Sequence, residues 1–112
     1  MSIPPAALLG AAILSEVMAT TALKASDGFT RLGPSLLAGL GYCISFYLLA
    51  QVMKSIPTGV VYAVWSGLGI VLISAVGWAV YGEKLDTAAV VGMAMIVAGV
   101  GVIQLFSKTA GH

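Results

Sequence analysis

Four uninterrupted apolar runs, each about as long as a membrane span, constrain this sequence more than any other feature. They cover about residues 4–23, 34–53, 58–80 and 88–107. A helix needs about 20 residues to cross the roughly 30 Å of hydrocarbon in a bilayer. Because lipid offers no partners to backbone N–H and C=O groups, each run must satisfy its own groups as a helix. The sequence therefore predicts an all-α membrane protein, with a single four-helix transmembrane domain over residues 1–112.

The composition excludes several other classes of protein. Hydrophobic residues make up 60% of the 112 positions, charged residues only 8%, and the mean hydropathy is +1.07, whereas soluble domains carry about 25% charged residues. The net charge is +1 without a basic cluster, so we expect no nucleic-acid partner. Cys43 is the single cysteine, which excludes an intrachain disulfide. The connections are too short to hold an extramembrane catalytic domain, and we expect no enzyme.

The positive charges of the connections give a weak topology signal. With both termini on one side, that side holds Lys54 and Lys108, and the other holds Lys24, Arg31 and Lys84. An excess of Lys and Arg on one side is what orients a membrane protein. A distribution this even permits the same chain to insert in either orientation, and it therefore permits an antiparallel pair. A single orientation chosen by subtler signals is the alternative.

Glu16 is the one Asp, Glu, Lys, Arg or His residue inside the four runs, eight residues before Lys24 and so about 12 Å below the polar boundary. A charged acid at mid-helix costs about 2.5–3.5 kcal/mol on insertion scales. Desolvation disfavours the bare carboxylate, so a proton and an organic cation should compete for it. The alternative is an acid that stays protonated and hydrogen-bonded within the bundle. We expect no metal, because hard cations require several oxygen ligands. We also expect no cofactor.

Aromatic side chains recur at helical spacing beside small residues in the second and third runs. Rings hold a desolvated cation by about 2 kcal/mol each without directional hydrogen bonds, which suits quaternary ammonium compounds. Ordinary packing is the alternative, especially for Tyr42. Together with the face around Glu16, these stripes predict the following substrate-contacting residues: Ala12, Ile13, Ala19, Thr20, Tyr42, Ser45, Phe46, Tyr62 and Trp65.

Glycines suggest two further roles. Gly67 and Gly69 lie inside the third run, where absent side chains permit a conformational hinge or, equally, a close helix crossing. In the fourth run Ala88, Gly92 and Gly99 share one ridge, and the step from Ala88 to Gly92 is a small-xxx-small pattern. We expect Gly92 and Gly99 to form a dimer contact.

Several motifs together resemble the small multidrug resistance family over essentially the whole chain. The most specific are AAILSEV at 11–17, TTALK at 20–24, GFTRL at 28–32, IPTG at 56–59 and AVWSGLG at 63–69. The resemblance implies a proton-coupled antiporter that exports hydrophobic quaternary ammonium and other lipophilic cations across the bacterial inner membrane. It also implies an antiparallel homodimer whose two Glu16 carboxyls line one chamber.

Two positions depart from the pattern of the family's multidrug branch. Ala6 stands where that branch often has tyrosine, so one aromatic ring that could contact substrate is missing here. Ala19 stands where that branch commonly has glycine and the guanidinium-exporting branch has tryptophan. A small residue there favours the wider, more apolar substrate range.

Three other functions stay open at this point. A guanidinium exporter would use the same scaffold and the same carboxylate. A proteolipid rotor subunit of a proton-driven ATPase also has an intramembrane acid, but it leaves Tyr42, Tyr62 and Trp65 unexplained. A scaffold for another membrane protein would tolerate the loss of Glu16.

Overall fold

The chain forms four long helices, seen in a computed structural model that describes residues 3–109. The ends of the predicted domain, residues 1–2 and 110–112, lie outside the described residues. The helices are α1 (Pro5–Ala25), α2 (Leu32–Val52), α3 (Thr58–Tyr81) and α4 (Thr87–Phe106).

All four helices are long and apolar enough to cross a membrane. The prediction of an all-α protein with four spans is therefore confirmed. Many large apolar side chains are exposed on the helix surfaces, and in a membrane protein these face lipid or another chain rather than water. The chain is a multi-pass membrane protein.

Helix α2 begins at Leu32, although the apolar run predicts a start at Pro34. The first backbone N–H groups of a helix have no partner within the helix. A proline in the first turn, which lacks that group, therefore removes no hydrogen bond. Pro34 is accommodated inside α2 for this reason.

Small residues bring α1 and α2 close together. A Cβ added at Gly41 would lie 2.7 Å from the Ala19 Cβ and 3.1 Å from the Ser15 carbonyl oxygen. Below this contact the buried Ser45 hydroxyl donates to the Ala12 carbonyl oxygen at 2.8 Å. Because backbones approach closely only where side chains are small, Gly41 determines how near the two helices lie.

Helix α3 packs against α1 on one side and contacts α4 on the other. A Cβ at Gly67 would lie 2.5 Å from Val100 Cγ2, so the α3–α4 contact also depends on a glycine. The Asp86 side chain caps α4 by accepting from the Ala89 N–H at 2.9 Å. Such a cap satisfies a donor that the helix itself leaves free.

The resulting shape is a slab of 43 × 38 × 19 Å. Helix α1 lies between α2 and α3, whereas α4 contacts α3 and contributes Val100 alone to the buried residues. One face of α1, which includes Ala12, Ile13 and Ala19, is therefore placed at the interhelical interior.

Candidate functional site

The Glu16 carboxyl lies where α1 faces both α2 and α3. Its Oε1 accepts a hydrogen bond from Thr20 Oγ1 at 2.8 Å, and Thr20 Oγ1 is 2.6 Å from the Tyr42 hydroxyl. A threonine hydroxyl carries one proton. Because Thr20 donates that proton to Glu16, Tyr42 must donate to Thr20. Through these two hydrogen bonds, Tyr42 of α2 and Thr20 orient one carboxylate oxygen of Glu16.

The second oxygen of this carboxyl, Oε2, is buried and has no hydrogen-bond partner. It borders a cavity of about 130 Å³ between α1 and α3. A Cβ added at Gly69 would lie 3.1 Å from Oε2, so α3 leaves room for the carboxyl only because Gly69 has no side chain. A buried polar atom without a partner is costly and calls for a specific explanation.

A row of aromatic rings runs from α2 to α3 beside this cavity. Tyr42 stacks on Phe46 with centroids 6.1 Å apart, Phe46 meets Trp65 edge-on at 6.3 Å, and Trp65 meets Tyr62 edge-on at 5.5 Å. Trp65 lines the Glu16 cavity, and its buried Nε1–H has no partner. The carboxyl and the ring faces that can hold a cation are therefore neighbours.

Tyr62 and Phe46 are largely exposed, with 59% and 55% of their surfaces accessible. Together with Trp65 they line a second, larger cavity of about 340 Å³. Rings exposed on a membrane helix contact either lipid or another chain. The aromatic row is thus one open wall rather than an enclosed pocket.

Other residues predicted to touch substrate lie in contacts between helices. Ala12, Ile13 and Ala19 are buried, with exposed fractions of 0%, 4% and 1%. Ser45 is buried and bonded to the backbone of α1. Within one protomer, these four residues fix the position of α1 against its neighbours.

The four predicted glycine positions divide into two classes. Gly67 and Gly69 sit at close contacts, the first with α4 and the second with the Glu16 carboxyl, while α3 continues through both as one helix. A Cβ added at Gly92 or Gly99 would meet nothing within 4 Å. The ridge on α4 is therefore uncovered in the protomer.

Sequence patterns missed part of the site. Ile70 and Ile73 line the Glu16 cavity on α3, and their apolar character does not distinguish them from lipid-facing residues. The Tyr81 hydroxyl donates to the Thr21 carbonyl oxygen at 3.0 Å, a contact between α3 and α1 that no sequence pattern indicates. Within residues 3–109 no group of three or more His, Cys, Asp or Glu is placed to hold a metal ion.

Comparison with known proteins identifies the family. The profile described as Small Multidrug Resistance protein matches residues 6–96. The chain is 56% identical over 101 residues to the quaternary ammonium compound-resistance protein QacE of Escherichia coli, covering 90% of this chain and 92% of the relative. It is 53% identical over 108 residues to the multidrug transporter EmrE of Escherichia coli K12, covering 96% and 98%.

A third relative gives the same result. The quaternary ammonium compound-resistance protein QacF of Klebsiella aerogenes is 53% identical over 104 residues, covering 93% of this chain and 94% of that protein. These relatives carry the names of transporters and resistance proteins, and the expectation that the chain is not an enzyme is confirmed. This chain belongs to the small multidrug resistance family.

Proposed function

We propose that the protein is a proton-coupled antiporter that exports quaternary ammonium and other lipophilic cations across a bacterial cytoplasmic membrane. The observation that carries the proposal is Glu16 Oε2, a buried carboxyl oxygen without a partner beside the Trp65 ring. The names of the relatives, which include quaternary ammonium resistance, support this substrate class over guanidinium.

An unpaired carboxyl in lipid favours the exchange of a proton for an organic cation. A bare carboxylate is strongly disfavoured away from water, and either a proton or a bound cation relieves that cost. Both act on the same oxygen pair of Glu16, so one must leave before the other binds. Among the described residues, the one salt bridge joins Lys24 to Glu83. Glu16 therefore has no protein cation to neutralise it in place of substrate or proton.

The aromatic row supplies the second part of the cation site. Quaternary ammonium groups have no N–H, so they are held by charge and by ring faces rather than by hydrogen bonds. Trp65, Tyr62 and Tyr42 present such rings near Glu16, and Phe46 links them. Thr20 keeps the carboxyl oriented toward this wall through its bond to Oε1. Ala12, Ile13, Ala19 and Ser45 remain in the proposed substrate-contacting set, and their contact with substrate requires the helix packing that buries them in the protomer to open.

A second copy of the chain is needed to complete the chamber. Pockets for drug-sized ligands measure about 300–1,000 Å³, whereas the Glu16 cavity of one protomer measures about 130 Å³. The aromatic row is open on one side, and the ridge of Gly92 and Gly99 is uncovered. These features support a homodimer joined through α4, with a Glu16 from each chain facing one chamber.

The dimer is proposed to be antiparallel. The Lys and Arg residues of the connections are nearly balanced between the two sides, so that neither orientation is strongly favoured. In such a pair the two protomers can exchange conformations, and the exchange moves the opening of the chamber from one membrane face to the other. Gly67 and Gly69 are the proposed hinge, because bending α3 there changes its contacts with α4 and with Glu16.

Transport in liposomes tests the proposal. Native protein should accumulate tetraphenylphosphonium in response to a pH gradient, and Glu16→Gln should abolish this uptake. Asp27→Asn is the matched control, since it makes the same carboxylate-to-amide change at an exposed position outside the helices. Proton-driven uptake by Glu16→Gln would reject the proposal. Uptake of guanidinium without uptake of tetraphenylphosphonium would assign the guanidinium activity instead.

A further inference from the structure

A second place in the molecule combines a carboxylate, an aromatic ring and an ammonium group. The Lys24 Nζ lies 3.1 Å from Glu83 Oε2 and 6.0 Å from the centroid of the Tyr81 ring. These three residues, called here the mouth cluster, lie where the carboxyl-terminal ends of α1 and α3 meet. A carboxylate paired with a ring is the same combination that makes Glu16 and its aromatic row a cation site.

The backbone at the end of α3 holds the mouth cluster in place. Gly82 adopts a left-handed conformation, with φ of +66°, and the Glu83 N–H donates to the Gly77 carbonyl oxygen at 3.1 Å. This turn folds Glu83 back over α3. A Cβ at Gly77 would overlap the Glu83 carboxylate, so the absence of a side chain there is what makes room for it. Tyr81 is held by its hydrogen bond to the Thr21 carbonyl oxygen.

The mouth cluster borders a cavity that shares a lining residue with the Glu16 cavity. This cavity measures about 140 Å³ and has Thr20 and Ile73 in its wall. Ile73 also lines the Glu16 cavity, and Thr20 donates a hydrogen bond to Glu16. The two cavities thus have Ile73 in common, and Thr20 joins the wall of one to the carboxyl that borders the other. A cation leaving Glu16 toward this end of the bundle would next meet Glu83 and Tyr81.

We propose that the mouth cluster is a second organic-cation site, which takes a compact quaternary ammonium headgroup and in which the Lys24 ammonium acts as an internal ligand. The inference rests on the proposed function and adds a transit site to it. A substrate headgroup replaces Lys24 beside Glu83 and Tyr81, in the cavity that these three residues help to line. When the substrate leaves, Lys24 returns.

The exposure of the ion pair makes this replacement feasible. The side chains of Lys24 and Glu83 are 57% and 50% exposed, and ion pairs this accessible are held weakly. A quaternary ammonium is less hydrated than a primary ammonium and binds a ring face well. The cavity of about 140 Å³ is smaller than the roughly 300 Å³ at which drug-sized pockets begin. It suits a trimethylammonium headgroup.

Binding of tetramethylammonium to full-length Glu16→Gln protein tests the inference, because this background removes the first site. Calorimetric titration should give weak saturable binding. Adding Lys24→Gln should raise the affinity at least fivefold, since the internal competitor is gone. Adding Lys24→Arg, which keeps a competing cation, should leave the affinity within twofold. Adding Glu83→Gln to the Lys24→Gln protein should abolish saturable binding.

Three outcomes would overturn the inference: no gain in affinity with Lys24→Gln, an equal gain with Lys24→Arg, or saturable binding that survives Glu83→Gln. Matching helical circular dichroism of all variants excludes unfolding as the cause. Failure of the proposed function would look different, because Glu16→Gln would then retain proton-driven tetraphenylphosphonium uptake whatever the state of Lys24 and Glu83.

Discussion

Helices α1 and α4 are both apolar membrane spans of similar length, yet they occupy opposite environments. Helix α1 packs against α2 and α3 and buries five residues, whereas α4 contacts α3 and buries Val100 alone. Helix α4 is nevertheless the more apolar of the two. In a water-soluble protein the more apolar helix would occupy the interior.

The membrane reverses that preference. Lipid tails are as apolar as leucine, so burial is governed by small residues and polar groups rather than by hydrophobicity. Helix α1 carries Glu16, Thr20 and Ser15, and its Ala12 and Ala19 permit close approach. Helix α4 has no polar side chain from Ala88 to Ile103. We infer that α1 serves the chemistry and that α4 serves assembly.

The largest expected effect is on α4. Replacing both Gly92 and Gly99 with leucine should separate the proposed dimer, because bulky side chains would fill the ridge at which two α4 helices are proposed to meet. Cross-linking or fluorescence energy transfer in liposomes would measure the loss, and drug uptake should disappear with it. Gly101→Leu is the matched control. It lies two residues, or about 200°, around the helix from Gly99, and it should leave the dimer intact.

This prediction also separates assembly from folding. The substitutions at Gly92 and Gly99 meet open space within the protomer, so the helical content should not change. A dimer that persists in the double variant, or that Gly101→Leu weakens equally, would contradict the assignment of this ridge.

The next effect is on the stability of the α1–α2 pair. Gly41→Ala should destabilise the protein by about 1–3 kcal/mol, the usual cost of overpacking, because the new methyl group would lie 2.7 Å from the Ala19 Cβ. Gly39→Ala adds the same atom to the same helix, where nothing lies within 4 Å. Unfolding in mixed micelles measures both. Equal stability of the two variants would show that Gly41 does not set the helix separation.

A smaller effect is expected where α3 meets Glu16. Gly69→Ala would place a methyl group 3.1 Å from Oε2, which displaces the carboxyl from the position held by Thr20. We expect about tenfold weaker tetraphenylphosphonium binding, equivalent to about 1.4 kcal/mol. Gly59→Ala, in the first turn of α3 with nothing within 4 Å, should bind like native protein. Unchanged binding in Gly69→Ala would mean that the carboxyl can move freely.

Much of the fold followed from the sequence because lipid allows few alternatives. Apolar runs of span length must be helices, because lipid offers backbone groups no other partners. The pairing of α1 with both α2 and α3 did not follow, because it depends on contacts such as Gly41 with Ala19. Nothing in the apolar pattern distinguishes that contact from the many other pairs of small residues.

Part of the candidate site, like part of the fold, could be predicted from the sequence. A lone carboxyl inside a span predicted a role for Glu16, and ring spacing predicted one for Trp65; the two residues line one cavity. The hydrogen bonds through Thr20 and the role of Gly69 beside Oε2 required coordinates, because they join residues from different helices. The mouth cluster was also invisible, since Lys24 and Glu83 are distant in sequence and look like ordinary loop charges.

Proton release on drug binding tests most directly whether proton and cation compete for Glu16. In weakly buffered detergent solution near neutral pH, adding tetraphenylphosphonium to native protein should release protons, no more than one per Glu16. Drug affinity should fall as the pH is lowered, because the added protons occupy the same carboxyl. Glu16→Gln should release none. Native protein that binds the drug without releasing protons, and with an affinity independent of pH, would contradict the competition.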